Sequence, residues 1–264
     1  MIRDEHYRAK QRHRGRGIGD LERTVGGVCA EIDARLARQR VVRVLELGCG
    51  YGTALLELRA RYGARVDLHG VNRASHDGNR DILRRNAADR RLPVDDSAPE
   101  RALPSISHAD VASGLPFADD AFDLVLSQVA WMYFGNKVRV LREVMRVLRA
   151  DGLAKIDADE IDPRLPAEYA RLVEIWHDGR LVPFGDYLAR FGLGFAAAPE
   201  GAYLRIEKRD AFGDDLVLRF EIDTSRIHSH WDGIKCVYAC AEPLAAATDS
   251  TTPSATRASI AASS

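Results

Sequence analysis

The sequence predicts an α/β fold, a mostly parallel sheet with helices packed on its faces. Two observations carry that expectation. Residues 41–58, VVRVLELGCGYGTALLEL, run from β-branched and apolar residues through Gly48, Gly50 and Gly52 into a helical pattern with Ala54, Leu55, Leu56 and Leu58. This is strand, glycine turn and helix, the opening unit of a nucleotide-binding α/β domain. Strand-like and helix-like patterns then keep alternating to about residue 158, as βαβ connections require.

The elements follow in order. Residues 1–20 are basic, six Arg and Lys against Asp4, Glu5 and Asp20. They read either as a solvated arm or as a lid that folds over a ligand, with His6, Tyr7 and His13 available. Leu21, Val25, Val28, Ile32 and Leu36 then fall at helical spacing, so one helix is expected to lead into the first strand. Together residues 1–40 form an N-terminal arm and helix. Gly63 is placed to close the helix after the glycine turn. A second strand covers 65–71 and ends on Asn72, and residues 76–92 form a charged amphipathic helix. A Pro-rich loop follows. Residues 106–109 form a short third strand, and 114–128 read as loop, tight turn and buried fourth strand. The helix 136–149 sets Val138, Leu141, Val144, Met145 and Leu148 on one face. A turn at Asp151-Gly152 leads to a fifth strand over 153–158.

Farther on, residues 166–176 and 185–191 are expected to be helical. Three strand-like runs remain, at 203–208, 216–222 and 234–240, with a loop at 224–233 between the last two. Residues 241–264 are rich in Ala, Ser and Thr without periodicity and read as a disordered tail.

Composition narrows the class. A chain of 264 residues with 46% hydrophobic and 29% charged content can bury a substantial core. A formal net charge of −1 creates no global field toward nucleic acid or membrane. The four cysteines (Cys29, Cys49, Cys236, Cys240) lack metal-ligand spacing, so no metal is expected. No run approaches 18 apolar residues and the first twenty are charged. The expectation is a cytoplasmic protein with reduced thiols and no membrane partner. Oligomeric state leaves no trace in the sequence.

The glycine turn carries the first functional signal. The dinucleotide pattern G-x-G-x-x-G is not met, because the glycines fall at 48, 50 and 52. Glu46, just before them, would repel a pyrophosphate placed at the helix N-terminus. A cationic, phosphate-free nucleoside suits this corner better. The second signal is L-P-F-A-D-D-A-F-D-L-V at 115–125, following Asp110-Val111.

In order and spacing, E-L-G-C-G-Y-G at 46–52 and this later phrase resemble class I S-adenosylmethionine-dependent methyltransferases of the small-molecule, methyltransferase domain 11-like type. The R-V-L-R-A-D-G-L-A phrase at 146–154 extends the resemblance, which spans about residues 41–160. It implies a Rossmann-like seven-stranded, mostly parallel sheet flanked by helices, with an antiparallel C-terminal hairpin, as a methyltransferase domain over 41–240. It implies S-adenosyl-L-methionine as cofactor, held by Glu46, Gly48, Cys49, Gly50, Gly52, Asn72, Asp110, Val111 and Gln128. Asn72 departs from the pattern: family members usually place an acid there to accept the ribose hydroxyls. Asp110 reads as the acceptor of the adenine amine, or as a turn cap. Trp131 and Tyr133 read either as an aromatic wall lining the substrate or as core.

The reaction so implied is in-line methyl transfer to an O, N or C nucleophile of a small-molecule acceptor. A base is optional, and His228, His230, His6 and Glu160 are the candidates. His228 and His230 equally read as loop residues. Two alternatives stay open. Methylation of RNA or a protein draws on the basic arm and the arginines at 80–91 and 139–149. A non-catalytic cofactor-binding protein draws on Asn72 and the missing base.

Overall fold

In the computed structural model the described residues are 4–134, 137–157, 174–177, 180–183, 194–208, 228–231 and 236–239. Three helices open the chain, α1 (Asp4–Arg14), α2 (Ile18–Thr24) and α3 (Val28–Leu36). The single helix expected from the 21–36 periodicity is therefore two. Gly26 and Gly27 both have φ near +60°, which ends one helix and starts the next at a new angle. The apolar stripe survives the break, since Leu21, Val25, Val28 and Ile32 are all buried.

The sheet follows as β1 (Val42–Leu47), β2 (Val66–Asn72), β3 (Ser105–His108), β4 (Phe122–Ser127) and β5 (Leu148–Asp157). These five pair in parallel, in the order β3-β2-β1-β4-β5. Two more strands complete it, β9 (Gly201–Glu207) antiparallel to β5 and β8 (Gly194–Ala198) antiparallel to β9. The sheet is thus seven-stranded and mostly parallel, with an antiparallel C-terminal hairpin. The order reverses between β1 and β4, which opens a crevice at their carboxyl ends.

Helices α4 (Thr53–Tyr62), α5 (Arg80–Asp89) and α6 (Lys137–Val147) connect the strands. Both faces of the sheet are covered, which is why β1 and β4 are so apolar. Leu45, Leu47 and Val125 pack on one face with Val140, Leu141, Val144 and Met145 of α6. Val42, Val44, Leu124 and Leu126 pack on the other with α2, α3 and α4. Gly63 closes α4 with φ +58°, and Asn79 caps α5 by accepting from the Ile82 amide at 3.1 Å.

Several boundaries differ from the sequence expectation. Helix α6 ends at Val147 and β5 begins at once at Leu148. The register jumps between Phe122↔Leu148 and Leu124↔Leu153, so residues 149–152 are taken up as an irregularity inside the strand. The 166–176 helix is contradicted at its end, where Glu174–His177 is β6, paired antiparallel with β7 (Arg180–Pro183). The β-branched and aromatic residues in Glu174–His177 favour a strand there. The expected loop at 224–233 holds β10 (His228–Trp231), paired with β11 (Cys236–Ala239) outside the main sheet. The hairpin that ends the main sheet is instead β8–β9, and β8, Gly-Phe-Ala-Ala-Ala, had too few β-branched residues to be recognised. The run 216–222, the helix 185–191, Glu160 and the tail 241–264 lie outside the described residues.

Candidate active site at the strand tips

Parallel pairing brings the carboxyl ends of β1, β2, β3, β4 and β5 to one edge. It gathers there Glu46 with the turn 48–52, Asn72, Asp110, Gln128 and Asp157. The Gly48 and Cys49 amides both donate to the Val71 carbonyl, at 2.8 and 3.3 Å, and fold the turn back over β2. Gly48 has φ +70°, and a Cβ there would stand 2.3 Å from the Ala130 Cβ. Gly50 has φ +54°, and its Cβ would stand 2.7 Å from the Arg14 carbonyl oxygen. The glycines therefore also admit other parts of this chain: the β4 tip on one side and the N-terminal arm on the other.

From Asp4 on, that arm packs against the turn. Tyr7 is buried and stacks on Tyr51, ring centres 5.0 Å apart and nearly parallel. Arg85 lies over the Tyr7 ring at 4.0 Å. The Tyr51 amide donates to the Arg14 carbonyl at 2.8 Å, Arg14 forms an ion pair with Asp77, and Arg90 donates to the Gly15 carbonyl at 2.6 Å. Burial pushes the Tyr7 hydroxyl up to about 12, with Asp89 adding to the effect. Asn86, wholly buried on α5, donates to the Tyr51 carbonyl at 3.1 Å and to the Thr53 hydroxyl at 2.7 Å. Tyr7 is among the residues the lid reading offers; Tyr51, Asp77 and Asn86 are not expected from the sequence as site residues. The one available signal was an uncharged Asn inside a strongly charged helix.

Glu46 is 3% exposed, and its Oε2 has no hydrogen-bond partner. Burial, with a further contribution from the nearby Glu57, pushes its carboxyl up to about 8. Glu57 itself is satisfied, accepting from the Ile18 amide at 2.7 Å and from Arg90 at 3.1 Å. A buried carboxylate with a spare oxygen fits a cationic ligand and disfavours a phosphate. Burial also raises the Cys49 thiol well above its usual range, so it stays protonated and is no nucleophile.

Asn72 is 5% exposed and ties the turn to the loop after β2. Its Oδ1 accepts from the Gly50 amide at 2.9 Å; its Nδ2 donates to the Gly50 and Asp77 carbonyls, each at 2.9 Å. Asp110 is exposed at the tip beyond β3 and accepts from the Ala112 amide at 3.0 Å, which is the turn-capping arrangement; Val111 beside it is buried. At the end of β4, Gln128 is 6% exposed and its Nε2 has no partner. The next residue, Val129, is β-branched with φ +51°, a conformation that costs about 1–3 kcal/mol. Its amide donates to buried Asp157 at 3.0 Å.

Trp131 is 1% exposed, meets Phe134 edge-to-face at 6.1 Å and belongs to the α6-side core. Burial assigns its ring to packing. Tyr133, two residues on, is 53% exposed. His6 is exposed on α1. Five of the arginines behind the RNA reading form ion pairs: Arg80 and Arg84 with Asp96, Arg90 with Glu57, Arg146 with Glu143 and Asp119, and Arg149 with Asp123. Among the described residues no three His, Cys, Asp or Glu side chains gather as metal ligands, and no helix is long and apolar enough to cross a membrane.

Strand order, crevice and glycine corner define the class: a Rossmann-like α/β fold that receives a nucleoside cofactor at its strand tips. Comparison with known proteins makes it specific. Residues 45–156 match the family described as Methyltransferase domain. A glycine/sarcosine/dimethylglycine N-methyltransferase of Actinopolyspora halophila is 32% identical over 131 residues, covering 50% of this chain and 20% of that protein. A sarcosine/dimethylglycine N-methyltransferase of Halorhodospira halochloris is 31% identical over 109 residues, covering 41% and 34%. The chain thus spans about a fifth and about a third of the length of these two relatives. Among solved structures, a putative S-adenosyl-L-methionine-dependent methyltransferase of Methanococcus maripaludis aligns at 17% identity over 73% of this chain and 91% of that one. Its TM-score is 0.45, so the family statement rests on the sequence matches. Over residues 45–156 the chain is similar to class I methyltransferase domains, a class whose cofactor is S-adenosylmethionine.

Proposed function

We propose that the chain transfers the methyl group of S-adenosylmethionine to a nucleophile of a small-molecule acceptor, with a small amine the first choice over an O or C nucleophile. The observation that carries the cofactor half is Glu46, a buried carboxylate with a free oxygen at the foot of the glycine turn. Its environment matches the cationic amino-acid end of the cofactor. Gly48, Cys49, Gly50 and Gly52 would take the nucleoside along the turn, with Asn72, Asp110, Val111 and Gln128 around it. The acceptor half draws on the named substrates of the two relatives. The ion-paired arginines argue against an RNA acceptor.

The cofactor supplies an electrophilic methyl whose leaving group is a neutral thioether. The protein's own work is alignment and exclusion of water, and good alignment in intramolecular systems is worth roughly 7–11 kcal/mol. Helix α1 serves that work as a lid, clasped by the Tyr7–Tyr51 stack and the Arg14–Asp77 pair. Gln128, with its unpartnered amide beside strained Val129, faces the reacting end. An amine acceptor that arrives neutral needs no base.

Calorimetry with S-adenosylhomocysteine, then turnover with glycine, sarcosine and dimethylglycine alongside hydroxyl and carbon acceptors, tests the reading. Micromolar binding and methylation of an amine are expected. Absence of cofactor binding would sink the proposal; binding with no turnover would favour the non-catalytic alternative.

A further inference from the structure

We propose that Asn72 is a positioning residue whose amide locks the Gly50 peptide, and that the site is built for an amide at this strand end and not for a carboxylate. The inference rests on the cofactor reading above. Gly50 and Asn72 exchange two hydrogen bonds in a closed ring, N–H to Oδ1 and Nδ2–H to the Gly50 carbonyl, both 2.9 Å. The second Nδ2 hydrogen goes to the Asp77 carbonyl. Both donors and one of two acceptor lone pairs are spent. One lone pair at most is left for a ribose hydroxyl. Asn72 thus acts on the cofactor chiefly through the shape of the turn.

The packing around it leaves little freedom. A Cβ at Gly78 would stand 2.5 Å from the Gly50 carbonyl oxygen and 2.6 Å from Asn72 Nδ2, so the β2–α5 loop is pressed directly on the clamp. A carboxylate in this place would keep the Gly50 amide bond. Its other oxygen would meet two carbonyl oxygens at hydrogen-bond distance with no proton between, in a buried position. The acid usual at this strand end is therefore excluded by this chain's own fold.

The test compares Asn72→Asp with Asn72→Ser, which loses the same donors without adding charge. At pH 8, Asn72→Asp should melt about 5 °C or more below wild type and below Asn72→Ser. Its affinity for S-adenosylhomocysteine should fall at least about tenfold. Below about pH 5 the introduced carboxyl can take up a proton and donate again, so the gap to Asn72→Ser should close. The Asn72→Ser deficit should not change with pH. Groups facing Asn72 are Cys49 and the Arg14–Asp77 pair with His76 beside it; His108 lies 3.3 Å from the Asp77 carbonyl. All are common to the variants and cancel in the comparison. Wild-type-like melting and affinity for Asn72→Asp at pH 8, or a gap to Asn72→Ser that ignores pH, would overturn the proposal. If wild type itself fails to bind the cofactor product, the methyltransferase reading falls, and the melting comparison still decides the clamp.

Discussion

Two turns leave neighbouring strands at the same edge of the sheet and are finished in opposite ways. The turn after β1 is bound through its backbone and keeps a polar group in reserve, the free oxygen of Glu46. The turn after β4 also keeps an unpartnered amide, that of Gln128, but is finished with apolar bulk, Trp131 and Phe134 against the α6-side core, and carries a left-handed Val129. They touch where Gly48 meets Ala130. The comparison teaches that a tight turn can be specified by small residues beside one buried carboxyl. The adjacent turn is a rigid wall whose identity is fixed mainly by packing.

Substitution can break this contrast. The largest effect is expected for Trp131→Ala, about 3–5 kcal/mol of stability by denaturant titration, as for other buried aromatics. A loss under 1 kcal/mol would mean that Trp131 is not a core residue. Next comes Gly48→Ala, which adds a methyl against Ala130 in a left-handed backbone and should cost about 2–4 kcal/mol, together with cofactor binding. The companion Ala130→Gly should restore part of it, and failure to do so would separate the two turns.

Glu46→Gln should weaken cofactor binding by about tenfold or more, since a hydrogen bond to a charged group is worth about 1.5–3 kcal/mol. Its effect on stability has the opposite sign. The folded protein holds the Glu46 proton up to about pH 8, whereas the unfolded chain releases it near 4.5. Stability from this group is therefore present below 4.5 and lost as pH rises toward 8. Melting curves at pH 5 and pH 8 should show Glu46→Gln gaining on wild type at the higher pH; parallel curves would show that the carboxyl is not buried uncharged. The smallest effect belongs to Tyr133→Ala, within about 0.5 kcal/mol of wild-type stability, because the side chain is exposed. If it lines the acceptor, KM for the amine rises while the melting temperature stays.

Much of the glycine corner was legible in the chain. Gly48, Gly50 and Gly52 announce a turn that only left-handed backbone can make, and Glu46 beside them speaks against phosphate. What stayed hidden was the company these residues keep. Nothing local says that Tyr7 stacks on Tyr51, forty-four positions away, or that Arg14 closes over Gly50. The 21–36 stripe concealed a break because both helices face the same core across Gly26 and Gly27. The β8–β9 hairpin hid for a related reason: Gly-Phe-Ala-Ala-Ala has little strand preference, and its pairing with β9 makes it a strand.

By itself the sequence determined the periodicities, the glycine corner and the alternation that forces a parallel sheet, since these depend on backbone sterics and on residues close in the chain. The tertiary structure decided where each ambiguous side chain lies and what it touches. Trp131 went to the core and Tyr133 to solvent although they stand two apart in one short turn. Asn72, expected at the ribose, exchanges two hydrogen bonds with Gly50. Burial and hydrogen-bond partners come from elements far apart in sequence, and those set the cost of a charge, the use of an amide and the place of a ring.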